Sequence, residues 1–301
     1  MDKESLFYMS ADSLEDIKPI NDVFDLSGKV AVVTGTVGLA LFVIYRLAEC
    51  GAKVVCGSRT EEWGKLTEET MREQGYDVSF LKTDVRKVED CSALIEFAEK
   101  KYGAVDIVVP VAATWCPRAF VDVKEEEWDD VIDTGLKGQY FTVQAAARSM
   151  IRSGKKGGKI VTVSSVAHRG SDMNHIAMMT HYNATKAGVV GMTKGMAKEL
   201  KQYGINVNCV APGGMVTAGA IMNGAKTSQL YGPELDEERK VHGGDMTPVA
   251  ESPDEVALMI LAMCTDVSNF MYGQVIDVDG GSEFSYQKLP WSYTMEGGKR
   301  A

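Results

Sequence analysis

From residue 29 onward, short β-branched runs alternate with longer segments whose apolar positions recur at helical spacing. The runs are KVAVVT (29–34), KVVCG (53–57), DVSFLK (77–82), DIVVPV (106–111), GKIVTVS (158–164), INVNCVA (205–211) and QVIDVD (274–279). Most are continuously apolar rather than alternating, the pattern of strands covered on both faces of a parallel sheet. Between them, GLALFVIYRLAEC (38–50) and VEDCSALIEFAEKKYG (88–103) read as helices, the second closing on a glycine that suits a helix C-terminus. This alternation predicts an α/β fold with one doubly wound parallel sheet of about seven strands, helices on both faces, in a single domain.

Two regions fall outside the alternation. Residues 1–28 form an acidic N-terminal extension with one apolar knot, Phe7-Tyr8-Met9, and residues 282–301 form a tail carrying Phe284, Tyr286, Trp291 and Tyr293. The domain itself is expected over 29–281, with a substrate loop at about 214–250. For the aromatic tail, subunit contact and a cover for the pocket are both open, with plain packing the simpler account.

Composition narrows the classes. A chain of 301 residues, 45% hydrophobic and 25% charged, is long enough to bury a sizeable core. Its net charge of -10 comes without a basic run, so nucleic acid is not an expected partner. Lys155, Lys156 and Lys159 lie among glycines and read as a solvated turn. No stretch reaches the roughly 18 apolar residues of a membrane span, and the N-terminus shows no apolar leader core. The cysteines are scattered without a CxxC pair, which fits reduced thiols and a cytoplasmic protein.

The most specific pattern is HYNATKAGVVG (181–191), with Tyr182 and Lys186 on one face of a helix start. A tyrosine ordinarily titrates near 10, and an ammonium about 4 to 6 Å away favours its phenolate by about 1 to 3 units. Tyr182 is therefore expected to serve as acid and base. Upstream, VTVSSVAH (161–168) ends a buried strand, where the Ser165 hydroxyl is placed to hold a substrate carbonyl against Tyr182. Near the N-terminus, VVTGTVGLAL (32–41) runs a strand into a glycine turn and a helix, offering backbone N–H groups and a dipole to an anion.

Taken together, DLSGKVAVVTG (25–35), TDV (83–85), YNATK (182–186), INVNCVAPGGMVT (205–217) and the segment 251–281 resemble the short-chain dehydrogenase/reductase family over about residues 26–281. The resemblance implies a Rossmann-type fold and an NAD(P)-dependent alcohol dehydrogenase or carbonyl reductase, forming homodimers or homotetramers. It implies that Tyr182 is the proton donor in ketone reduction, that Lys186 also binds the nicotinamide ribose, and that Ser165 orients the carbonyl. Ser165 precedes Tyr182 by four residues more than in the family, so an insertion is inferred within HRGSDMNHIAMMTH (168–181), with Ser164 as the fallback assignment. The implied cofactor set is Gly35, Thr36, Gly38, Leu39, Ser58, Arg59, Asp84, Val85, Ala112, Tyr182, Lys186, Pro212, Gly213 and Thr217, with Asp84 meeting the adenine amino group.

Three places depart from the family pattern. The glycine loop has one residue fewer between Gly35 and Gly38, and Ala40 stands for the third glycine. Pro110-Val111-Ala112-Ala113 replaces NNAG, removing two amide side chains that steady the strand end. Gly135 stands where the family has an asparagine in a water chain that feeds protons to the lysine. All three fall on the cofactor side. A working enzyme is the favoured reading, and a nucleotide- or ligand-binding protein with impaired turnover is the alternative.

Gly57, Ser58 and Arg59 end the second strand without a carboxylate for a ribose 2′-hydroxyl, and the guanidinium suits a 2′-phosphate, so NADP(H) is expected over NAD(H). The competing account is that Arg59 merely caps the surface. His168, His175 and His181 match no common zinc spacing, and no metal is expected. Glu125, Glu126, Glu127, Asp129 and Asp130 open a helix and are expected to be solvated. A substrate lining is expected from Trp115, Met215, Met222 and Tyr231 beside Ser165, with Met173, Met178, Met179 and Leu230 nearby. Such a lining suits a bulky carbonyl compound, of hydroxysteroid or alicyclic type.

Overall fold

The computed structural model describes residues 17–170, 178–217 and 252–281, with Gly219, Ile221, Gln229 and Gly232 between them. Seven parallel strands form one sheet: β1 (Val30–Thr34), β2 (Lys53–Ser58), β3 (Val78–Lys82), β4 (Ile107–Pro110), β5 (Lys159–Val163), β6 (Asn206–Pro212) and β7 (Val275–Val278). Their order across the sheet is β3-β2-β1-β4-β5-β6-β7. The fold is the expected Rossmann-type doubly wound sheet, and each strand lies within a residue or two of its apolar run. Val32 pairs with Val55 on one side and with Val108 on the other, so β1 is covered on both edges as well as both faces.

The helices are α1 (Leu39–Glu49), α2 (Glu61–Glu73), α3 (Val88–Tyr102), α4 (Glu125–Ile132), α5 (Gly138–Ser153), α6 (Thr180–Leu200) and α7 (Pro253–Cys264). One face of the sheet buries Ile44 and Leu47 of α1 and Ile260 of α7 against Val33 and Val161. The other buries Leu94 and Ile95 of α3 and Val143 and Met150 of α5 against Val32 and Val108. Each such side chain contributes about 1.5–3 kcal/mol on removal from water. Helix starts follow their local chemistry: Ser252 caps α7 in a box with Glu255, behind Pro253 at the first helical position. A bidentate pair, Arg46 Nε to Asp254 Oδ1 at 2.8 Å and Nη2 to Oδ2 at 2.6 Å, ties α1 to α7.

Between α4 and α5 the helix does not break but widens into a π turn, Asp133–Lys137, with Gly135 at its centre. Turns of this kind collect at functional sites.

Two expectations about charged residues are corrected. Lys159 is not in a solvated turn: it begins β5 and is buried, with Nζ donating to Asn269 Oδ1 (2.7 Å), Ser268 Oγ (3.1 Å) and Asn206 Oδ1 (3.2 Å). Three acceptors replace its water, and burial still lowers its pKa to about 8. The acidic start of α4 is not uniformly solvated either. Glu127 is clasped by Arg118, which holds its carboxyl below the usual range, and Asp130 accepts from Arg86 at 2.9 Å. Neither partner stands at helical spacing from its carboxylate, so the sequence pattern did not show them.

Candidate active site

The strand order reverses between β1 and β4, and a cleft of about 460 Å³ opens there at the carboxyl ends of the strands. At one end is the glycine turn. Gly35 (φ +96°) and Gly38 (φ +61°) hold backbone conformations that a side chain disfavours, and Gly38 precedes α1 with no side chain capping the helix. A Cβ on Gly35 would lie 2.9 Å from the Ala40 methyl. The shortened turn therefore closes on Ala40 yet still lines the cleft through both glycines. Bare backbone at a helix N-terminus, open to a cleft, fits a diphosphate.

The lost NNAG amides have a replacement in the backbone. Pro110 pairs with Thr34 in the sheet, and the Ala112 N–H donates to Thr34 Oγ1 at 3.1 Å. A buried threonine at the end of β1 thus steadies the end of β4, a tie invisible in the sequence because the two segments are far apart.

The other end of the cleft holds the candidate chemistry. Ser165 and Tyr182 both line it, with the Ser165 hydroxyl near enough to the Tyr182 phenol to favour its ionised form. Ser165 also caps the short turn Val166–Arg169, accepting from the Ala167 N–H at 3.2 Å. Ser164 is directed differently: its Oγ donates to the Lys186 carbonyl at 2.8 Å, a structural tie. These contacts favour Ser165 over Ser164 for the substrate.

Lys186 is 2% exposed. Its Nζ donates to the Val163 carbonyl at 3.0 Å and lies 5.4 Å from the centre of the Tyr182 ring. Gln139 of α5, fully buried, grips that same residue of β5 in both directions, donating to the Val163 carbonyl (2.9 Å) and accepting from its N–H (3.3 Å). Gln139 was missed by the sequence reading; a glutamine inside an apolar helix stripe was the available signal.

The expected lowering of the Tyr182 pKa is corrected. Burial pushes the phenol up to about 12, against a smaller downward pull from Ser165, and burial brings Lys186 down to about 8. Desolvation disfavours both charges, with Lys186 buried and Tyr182 half-buried in the cleft wall, and the ammonium sits over the ring face with the Val163 carbonyl as its acceptor. The direction of the shift favours the protonated phenol, the form that donates a proton.

Thr134, at the π turn, also lines the cleft. Its hydroxyl is buried, 3% exposed for the residue, and has no hydrogen-bond partner among the described residues.

The short chain dehydrogenase family profile matches residues 29–227. The 3-oxoacyl-[acyl-carrier-protein] reductase FabG of Chlamydia muridarum is 33% identical over 261 residues, covering 85% of this chain and 98% of that protein. The 2-dehydro-3-deoxy-D-gluconate 5-dehydrogenase of Escherichia coli is 33% identical over 265 residues, covering 87% and 98%. Among solved structures, a short-chain type dehydrogenase/reductase from Mycobacterium marinum superimposes with a TM-score of 0.77 at 29% identity, covering 89% of this chain and all of that one. An actinorhodin polyketide ketoreductase solved with NADPH does so with a TM-score of 0.75 at 29% identity, again over 89% of this chain.

The chain belongs to the short-chain dehydrogenase/reductase family.

As a short-chain dehydrogenase/reductase it is an NAD(P)-dependent oxidoreductase of ketone and alcohol chemistry. Every cofactor residue expected from the family motifs lines the cleft except Asp84. The Asp84 carboxylate is instead gripped by Arg86, with Nε at 2.9 and 3.2 Å and Nη2 at 2.7 Å, which holds its pKa below the usual range. Of the expected substrate lining, Ser165, Trp115 and Met215 face the cleft; Met178 and Met179 are not part of its wall. Met173, Met222, Leu230 and Tyr231 lie outside the described residues, as does His175. His168 lies 3.7 Å from Asp277, and His181 is buried with its pKa lowered by that burial. Trp63, in the first turn of α2, lines the cleft and was not anticipated.

Among the described residues, no helix is long and apolar enough to cross a membrane.

Proposed function

We propose that the protein is an NADP(H)-dependent oxidoreductase that interconverts a ketone and a secondary alcohol on a bulky, apolar substrate of steroid-like or alicyclic type. The observation that carries this is the meeting of Ser165, Tyr182 and Lys186 in one cleft with the bare glycine turn. The turn at Gly35 and Gly38 would hold the cofactor diphosphate, and Lys186 and Tyr182 its nicotinamide ribose. When bound, the cofactor supplies or accepts a hydride at the substrate carbon. Ser165 orients the carbonyl by hydrogen bonding, and the neutral Tyr182 phenol gives its proton to the oxygen that becomes the alcohol. Lys186 anchors the geometry through Val163 and, while charged, opposes the cost of a phenolate at Tyr182.

NADP(H) is favoured because β2 ends in Gly57 and Ser58 with no carboxylate, and Arg59 follows in the wall of the cleft. Arg59 is only loosely held, 3.8 Å from Asp130, whose closer partner is Arg86 at 2.9 Å. A 2′-phosphate can recruit Arg59 without leaving Asp130 unpaired. Likeness to a ketoreductase solved with NADPH supports the same choice. Trp115 and Met215 give the substrate end an apolar wall. A homodimer or homotetramer is the proposed assembly, checked by light scattering.

The test is to titrate NADPH and NADH separately into the purified protein, then to follow absorbance at about 340 nm with steroid ketones, alicyclic ketones, 3-oxoacyl thioesters and keto sugar acids. Tighter NADPH binding and turnover of the bulky ketones are expected. Turnover confined to small polar substrates eliminates the steroid-like class, and failure to bind either nucleotide eliminates the enzyme.

A further inference from the structure

The family motif assigns the adenine amino group to the carboxylate at the TDV position, yet here that carboxylate is occupied and lies outside the cleft wall. Arg86 takes both Asp84 oxygens and also reaches Asp130 on α4, so releasing Asp84 means breaking a three-residue network. The Asp84 carboxylate is therefore not free to take a purine bound in this cleft.

The same end of the cleft carries a large side chain that the core does not use. Trp63 is 41% exposed and lines the cleft with Ser58, Arg59 and Thr60. Its position is fixed from two sides. The next residue, Gly64, lies so tightly on Phe80 that a Cβ there would come within 2.0 Å of the ring, which presses the first turn of α2 onto β3. One turn on, Thr67 Oγ1 donates to the Thr36 carbonyl at 3.0 Å, joining α2 to the glycine turn itself. An indole held in register with the diphosphate turn, partly uncovered and next to Arg59, is a platform for a planar heterocycle. Stacking suits any purine face and needs no carboxylate.

We propose that adenine is held in this protein by stacking on Trp63, beside Arg59, and not through Asp84. The proposal rests on the nucleotide reading above. It makes α2 the element that supplies the stacking surface, beside Val85 of the loop after β3.

The test uses adenosine 2′,5′-bisphosphate and ADP, neither of which reaches the nicotinamide end, in calorimetric titrations of the full-length protein. Trp63→Ala is expected to weaken both ligands roughly tenfold, and Trp63→Phe to retain most of the affinity. Asp84→Asn is expected to change both by less than about twofold, since no charge–adenine contact is lost. Thermal melts of each variant establish that it is folded. Unchanged affinity in Trp63→Ala, or a larger loss in Asp84→Asn, overturns the proposal. A wild-type protein that binds neither ligand overturns the nucleotide reading itself, a result distinct from equal binding by wild type and variant.

Discussion

The methyl group of Thr185 occupies the space that a side chain on Gly135 would need: a Cβ there would lie 2.7 Å from Thr185 Cγ2. Thr185 cannot easily turn away, because its Oγ1 donates to the His181 carbonyl at 2.9 Å within α6. The family asparagine is thus absent from a place where this chain has no room for it. Gly135→Ala is expected to lose about 1–3 kcal/mol to the clash, offset in part by about 1 kcal/mol of helix propensity. Adding Thr185→Ser, which removes the methyl and keeps the hydroxyl, is expected to restore the loss. Denaturant midpoints of the four proteins check this; equal midpoints for wild type and Gly135→Ala mean that the contact is soft.

Thr134 offers the opposite case, a buried hydroxyl with no bonding partner among the described residues. Replacing it by valine swaps that hydroxyl for a methyl of similar shape, so Thr134→Val is expected to hold or raise stability by up to about 1–2 kcal/mol in the absence of ligand. A lower melting temperature in the ligand-free protein contradicts the absence of a partner.

Tyr182→Phe removes the phenol while leaving Lys186 and the glycine turn in place. Ketone reduction is expected to fall by about two to four orders of magnitude, with NADPH affinity within a few-fold of wild type. Comparable turnover by the variant reassigns the proton donor.

Burial sets a pH dependence whose sign follows from Lys186. Its folded pKa of about 8 lies below the ordinary 10.5, so between those values the unfolded chain binds more protons than the folded one. Stability from this group therefore rises with pH across that window and carries the full penalty of a buried charge below it. Lys159 contributes the same sign but is present in both proteins when wild type is compared with Lys186→Met. Wild type is expected to gain on Lys186→Met as pH is raised from about 7.5 to 9.5, measured by urea unfolding. A difference that does not move with pH contradicts a desolvated lysine.

Much of the scaffold was legible in the chain because its signals are local. Continuous apolar runs such as KVAVVT announce buried parallel strands, and Gly103 marks a helix end by chemistry within a turn of itself. The grouping of Ser165, Tyr182 and Lys186 was legible through motif order. Lys159 was misread because a charge in a polar stretch looks solvated until its partner arrives from a distant segment, and Glu127 because its partner nine residues back lies outside helical spacing.

What the sequence alone settled, then, is the alternation that makes the sheet and the residue types the chemistry requires. Tertiary structure decided the state of those residues: that desolvation shifts Tyr182 toward the phenol, that Asp84 belongs to Arg86, that Thr34 stands in for lost amides, and that Thr185 leaves no space for a side chain at Gly135. The reason is physical. Hydrophobic periodicity is written along the chain, whereas desolvation, hydrogen-bond pairing and steric exclusion depend on neighbours that only folding supplies.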